Sequence, residues 1–214
     1  MTDEKITEDM EQRIVIAARD LFIEHGFSAT SMGDIAARIG VNRPAINYYF
    51  RTKERLFQAA LGSIVSISFP QVVAVVLRQD LTVRERMDSL VEIYYRVFLA
   101  HPSLPFFILR EMNRDLSLVI ATVEHLGLTD NMVRVRDGIE AEMRSGHLRR
   151  VPIRVAFLTL LALLTVPFTA RPVLERVFLA DDESLPDFLA EWKPNIVETM
   201  CRLLDPDTST SPQV

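Results

Sequence analysis

The chain has 214 residues, a formal net charge of -5 and 49% hydrophobic against 25% charged residues, a composition that suits a soluble protein of one large domain or two small ones. Seven glycines among so many apolar residues at helical spacing argue against a β-sandwich or a glycine-rich nucleotide fold and for an all-α chain. The lone Cys201 excludes an intrachain disulfide and leaves too few thiols for structural zinc, so a reducing, cytoplasmic setting is expected.

The first residues carry Asp3, Glu4, Glu8, Asp9 and Glu11 and no apolar run, so no secretory signal is expected. Thr7 is placed to cap a first helix over 8–25, where Ile14, Ala18, Leu21 and Phe22 form an apolar stripe that ends at Gly26. Thr30 and Ser31 open a short second helix stopped by Gly40, and Asn42 caps a third that tolerates Pro44 in its first turn. A fourth helix starts at Lys53, with Leu56, Phe57, Ala60, Leu61 and Ile64 on its buried side, and is expected to end or bend at Pro70. Helical periodicity continues over 83–100, 105–114, 116–125, 129–144, 153–167 and 185–204, and a polar tail over 205–214 is expected to be disordered. Two uncharged runs, 64–77 and 155–170, fall short of a membrane span, and the second reads as a helix buried in a core or a subunit interface.

Residues 31–50 read SMGDIAARIGVNRPAINYYF: two short helices joined by a tight turn. Ala36 is small where the helices cross, Gly40 permits the turn, Ile46 plugs the gap, and Ile35, Ile39 and Val41 complete a small core, which is the pattern of a helix-turn-helix. The outward face of the third helix offers Arg43, Asn47, Tyr48 and Tyr49, followed by Arg51, Lys53 and Arg55. From Ser28 to Arg55 the five basic residues, with Arg38, exceed Asp34 and Glu54 by three inside an acidic protein, which points to phosphate binding at this place. Arginine reads guanine edges, asparagine pairs with adenine, and tyrosine and lysine hold phosphates, so the face can both position and read DNA.

Gly26, Phe27, Thr30, Asp34, Ile35, Ala36, Gly40, Val41, Tyr48, Phe50, Lys53, Glu54 and Leu56 together resemble the TetR family of transcriptional regulators, over roughly 14–61. The resemblance implies an amino-terminal three-helix DNA-binding domain (1–52), a larger helical ligand-binding and dimerisation domain (53–204), and a homodimer on a palindromic double-stranded DNA operator. It also implies release by a small molecule, with repression the commoner outcome. It places Arg43, Pro44, Ala45, Asn47, Tyr48 and Tyr49 on the DNA-facing recognition helix, and Thr30, Arg38 and Lys53 near phosphates. Thr30 has a second reading as a helix cap and Tyr48 one as a packing residue. The family often has tyrosine where this chain has Asn47, so operator sequence does not transfer.

Beyond the motif, Tyr94, Tyr95, Phe98, Phe106, Phe107, Met112 and Phe157 give an aromatic and methionine-rich interior, with His125, Asn131 and Tyr95 as polar groups. Together they are the candidate lining for a small apolar or amphipathic effector. By family position 153–167 and Leu185–Leu204 are the dimer helices, and the first is too apolar for a helix with one side in water. No G-x-S-x-G, H-E-x-x-H or paired cysteine occurs, and the four histidines are far apart in sequence, so neither an enzyme, a metal site nor a cofactor is expected. The alternative reading is a small-molecule receptor or scaffold whose helix-turn-helix no longer reads DNA.

Overall fold

The computed structural model describes residues 3–180 and 182–206, with side chains from Glu8 onward. Among the described residues there are eleven helices and no strand: α1 (Asp3–His25), α2 (Met32–Ile39), α3 (Arg43–Tyr49), α4 (Lys53–Val76), α5 (Val83–Ala100), α6 (Leu104–Arg114), α7 (Leu116–His125), α8 (Thr129–Ser145), α9 (Ile153–Thr169), α10 (Arg171–Val173, running into a π-helical turn Leu174–Phe178) and α11 (Leu185–Leu204). α1 starts five residues earlier than its acidic first turn predicts; Thr7 lies within it, and its side chain falls outside those described. Of the tail, 207–214 lies outside the described residues. The expected stop at Pro70 does not occur, and α4 runs through it to Val76. α9 likewise passes Pro167, and the helical segment after it was not expected from periodicity.

Two compact units form. The first contains α1–α3, α4 as far as Ile67, and α6 and α7 within Ser103–Leu128; the second contains Ser68–Pro102 and the chain from Thr129 onward. The sequence predicts a division at residue 52; by packing, α4 as far as Ile67 and the segment Ser103–Leu128 join the first unit. In the first unit Ile14, Ala18, Phe22, Ile35, Ile46, Leu56 and Phe57 are almost wholly buried. Phe22, Phe27, Phe57 and Phe107 meet there with ring centroids 5.3 to 5.9 Å apart, a spacing at which aromatic pairs attract beyond simple burial. In the second unit α11 packs on α5 and α9. Val91, Leu164, Leu189, Ile196 and Met200 form its core, and the Trp192 indole N–H donates to the Leu163 carbonyl at 3.1 Å.

Candidate functional site

The helix-turn-helix is fixed by local hydrogen bonds before any partner is considered. Ser31 caps α2: its hydroxyl accepts the Asp34 N–H at 3.1 Å, and the Asp34 carboxylate accepts the Ser31 N–H at 2.7 Å, a reciprocal capping box. The Ser31 bonds are the main cause holding the Asp34 carboxyl below its usual range. Gly40 leaves α2 at φ 73°, and the Val41 N–H closes the turn on the Ala36 carbonyl at 3.0 Å. This left-handed conformation favours glycine because a Cβ strains it. Asn42 then caps α3, accepting the Ala45 N–H at 3.0 Å, and Thr52 caps α4 through Arg55 at 3.2 Å. Ala36 and Ile46 are buried as the motif requires, while Ile39 and Val41 are only half-buried.

With Ile46 turned inward, α3 presents Arg43, Pro44, Asn47 and Tyr48 to solvent, Tyr48 at 80% exposure. That figure decides between the two readings of Tyr48: it does not pack beneath the helix. Ala45 and Tyr49 are half-buried, and the Tyr49 ring meets the Tyr48 ring edge-on with centroids 5.2 Å apart. Arg38 on α2 is exposed, as are Arg51 just before α4 and Arg55 in its first turn. Lys53 is half-buried, its Nζ 4.3 Å above the centre of the Phe27 ring; burial lowers its pKa against the pull of Glu54.

Thr30 is different. It is 1% exposed, and its hydroxyl donates to the carbonyls of Leu21 at 3.1 Å and Gly26 at 2.9 Å. The expectation that it reaches a phosphate is corrected by this burial, and its reading as a cap passes to Ser31. Thr30 instead ties the end of α1 to the start of the α2 turn.

A cluster unseen in the sequence braces the same turn. Glu111 on α6, 2% exposed, accepts the Phe27 N–H at 3.1 Å and the Arg114 Nε–H at 2.6 Å. Two cations approach the Phe27 ring, Lys53 and the Arg114 guanidinium, the latter 4.6 Å from its ring centre. Arg110 reaches back to the Phe22 carbonyl at 3.4 Å and crowds Gly26, whose φ is 89°; a Cβ there would sit 2.6 Å from Arg110. The only sequence signal was an acid among arginines on an otherwise amphipathic helix, a pattern usually met on solvated faces.

The second unit encloses a cavity of about 400 Å³. Phe69, Val72, Val73 and Val76 of α4 form one wall, and α5, α8, α9 and α11 supply the rest, almost entirely with apolar side chains. Of the nine candidate effector contacts, Tyr94 and Phe157 line it. The other seven lie outside its lining. Tyr95 and Phe98 are buried against Phe168, with ring centroids 6.2 and 5.2 Å away, and fill core. Asn131 lies outside the lining and accepts a hydrogen bond from Arg134. Phe106, Phe107, Met112 and His125 belong to the first unit: Phe107 packs on Phe57, and the other three are exposed. Composition had supplied the residue types, but not the face each occupies. The lining missed was the aliphatic one, on α4 and in the run Leu160, Leu161 and Leu164 of α9.

α9 has a second apolar face. Val155, Leu158 and Val166 are 41%, 58% and 53% exposed, and Val173, Val177 and Phe178 carry exposed apolar surface through the following segment. Such a helix is apolar on both sides because one faces a cavity and the other is left exposed by the described residues.

Residues 14–60 match the family described as bacterial regulatory proteins, tetR family. Among curated relatives, the HTH-type transcriptional activator FasR of Mycolicibacterium smegmatis is 32% identical over 91 residues, 42% of this chain and 41% of FasR. The HTH-type transcriptional repressor Rv3405c of Mycobacterium tuberculosis is 46% identical over 57 residues, 27% of this chain and 30% of the repressor. The chain thus aligns with less than half the length of each. A solved TetR-family regulator from Mesorhizobium loti superposes with a TM-score of 0.62 at 18% identity, covering 96% of this chain and 100% of that one. The ketosteroid regulator KstR2 of Mycobacterium tuberculosis gives 0.64 at 14% identity, covering 89% and 94%. These two likenesses establish the fold over nearly the full length.

Proposed function

We propose that this chain, whose residues 14–60 match the tetR family of bacterial regulatory proteins, is a ligand-responsive transcriptional regulator of that family that binds a palindromic DNA operator as a homodimer. The observation that carries this reading is α3 itself: a helix held by a tight glycine turn, with Arg43, Asn47 and Tyr48 exposed together and Arg51, Lys53 and Arg55 directly after it. Arg43, Asn47 and Tyr48 would meet base edges and adjacent phosphates, while Arg38 and Lys53 hold the backbone. Two copies are needed for affinity, because recognition helices about 34–36 Å apart read two half-sites together. The outward stripe of α9, with α11 beside it, is the surface proposed to join them.

The cavity is the proposed effector site. α4 contributes its carboxy-terminal turns to the cavity wall and its amino-terminal turns to the core beneath the helix-turn-helix, so an occupant that displaces Phe69 or Val76 acts on the helix that carries Lys53. A coupling of about 1–3 kcal/mol, 5- to 150-fold in operator affinity, is the usual scale for such a switch. The proposed place of action is the cytoplasm, and repression is the proposed outcome of operator occupancy.

Selection of duplexes from a random pool by the purified protein, with binding titrated against scrambled duplex, tests the reading. Enrichment of one palindrome, weakened by Arg43→Ala and Tyr48→Phe, is the expected result. Salt-sensitive binding with no preferred sequence refutes it and favours a receptor that no longer reads DNA.

A further inference from the structure

The charged residues that line the cavity are all basic, with Glu142 and Asp137 paired behind two of them. Its charged lining residues are Arg86, Arg136 and Arg154, and no carboxylate is among them. Arg86 lies inside, 6% exposed, and Glu142 holds its two terminal nitrogens at 2.9 and 2.8 Å, so its charge is already matched and its buried Nε is the one donor left unmet. Arg136 is exposed and pairs with its neighbour Asp137 at 2.8 Å. Arg154, in the first turn of α9, is exposed and has no hydrogen-bond or ion-pair partner among the described residues. The remaining exposed lining residues are Met132 and Phe157, so the side open to solvent is basic and the interior apolar.

We propose that this cavity takes an anionic amphiphile: a hydrocarbon carboxylate whose chain fills the interior and whose head group stays at the mouth against Arg154. This rests on the effector-site reading above and names the chemistry of the effector. The orientation follows from the charges. A carboxylate pushed inward would lose its hydration and meet an arginine already neutralised by Glu142, whereas at the mouth it keeps water and gains an unpaired guanidinium. Size follows from volume. A cavity of about 150 Å³ holds benzene, so about 400 Å³ accommodates on the order of 16 non-hydrogen atoms on that scale, the range of dodecanoate.

The test titrates the full chain with dodecanoate, dodecanol and dodecyltrimethylammonium by calorimetry, below their micelle concentrations. Dodecanoate is expected to bind about tenfold more tightly than the alcohol. Arg154→Gln removes that preference and Arg154→Lys restores part of it; both alter an exposed side chain, and circular dichroism checks that the fold is kept. Leu161→Trp, which fills the interior, is expected to abolish binding. Equal affinity for acid and alcohol, tighter binding of the ammonium compound, an unchanged preference in Arg154→Gln, or binding that survives Leu161→Trp overturns the proposal. Titration of the selected duplex separates it from the regulator reading. Dodecanoate bound through Arg154 without effect on DNA supports the cavity assignment and removes the switch, while a selected operator with no carboxylate preference keeps the regulator and removes the ligand class.

Discussion

Replacing Glu142 by alanine is expected to unfold the second unit far more readily than its position on a helix surface suggests. The Glu142 and Arg86 side chains are 6% and 8% exposed, and they form two parallel bonds at 2.9 and 2.8 Å, with a third from Arg86 Nη1 to the Val76 carbonyl at 3.2 Å. Loss of one partner from a buried pair strands the other charge and costs about 3–5 kcal/mol. Arg86 also lines the cavity, where water can solvate part of the stranded charge, so the lower half of that range applies. Removing both charges is different. Arg86→Met with Glu142→Leu also removes the desolvation cost of the pair, a change that is often neutral or stabilising by about 1–4 kcal/mol. The lost bond to Val76 offsets about 1 kcal/mol of this. The double variant therefore lies close to the wild type while either single variant is strongly destabilised. Urea unfolding followed through Trp192, the only tryptophan and part of the same unit, measures the wild type, Glu142→Ala, the singles Arg86→Met and Glu142→Leu, and the double variant. A cost below about 1 kcal/mol for Glu142→Ala, or a double variant as unstable as the sum of the singles, refutes the argument.

Thr30→Val is expected to cost about 1–2 kcal/mol of stability, because the Leu21 and Gly26 carbonyls lose their donor. It should leave the salt dependence of DNA binding unchanged, whereas Lys53→Ala lowers the slope of log affinity against log salt by about one; titrations at several salt concentrations separate the two. Gly26→Ala is expected to be costlier than Gly40→Ala in thermal unfolding. Both residues have positive φ, but a Cβ meets nothing at Gly40 and lies 2.6 Å from Arg110 at Gly26. The Asp34 carboxyl, held below its ordinary value of 3.8 chiefly by Ser31, contributes stability that is complete above that pH and disappears as the pH falls through its lower folded value. The stability gap between wild type and Asp34→Asn should therefore be flat at neutral pH and close in acid, as acid titrations of both proteins would read.

The helix-turn-helix was legible because its constraints are local. A glycine at the turn, a small residue four positions earlier and a cap on either side act within twenty residues, so Ala36, Gly40, Asn42 and Ile46 carry their roles in their spacing. Helix positions beyond Lys53 were legible from periodicity too, Pro194 included, except at Pro70 and Pro167. Pro70, Pro167 and Pro194 all lie inside helices, where a proline removes one backbone bond and strains the turn before it but leaves the rest of the ladder intact. Over helices of 24, 17 and 20 residues the remaining bonds and the packing outweigh that local cost.

What hid the cavity is that apolar patterning reports where water is absent without saying what replaces it. α4 has the length and apolarity of a membrane span, yet little of that stretch is buried in protein. The two facts agree once its halves are separated: Leu56, Phe57, Ala60 and Ile64 enter the first unit's core, while Phe69, Val72, Val73 and Val76 face an open cavity. α9 repeats the pattern, with Leu160, Leu161 and Leu164 toward the cavity and Val155, Leu158 and Val166 outward. A core-filling helix needs apolar residues on the face it buries, and additional ones in water are a cost unless a ligand or a second chain covers them. In this chain the excess falls where the cavity and the proposed dimer surface lie. The aromatic residues, the conspicuous candidates in the sequence, go mostly to core: large rigid rings fill fixed gaps, whereas a space kept for a flexible hydrocarbon is bounded by aliphatic side chains, whose role no one-dimensional pattern distinguishes from packing.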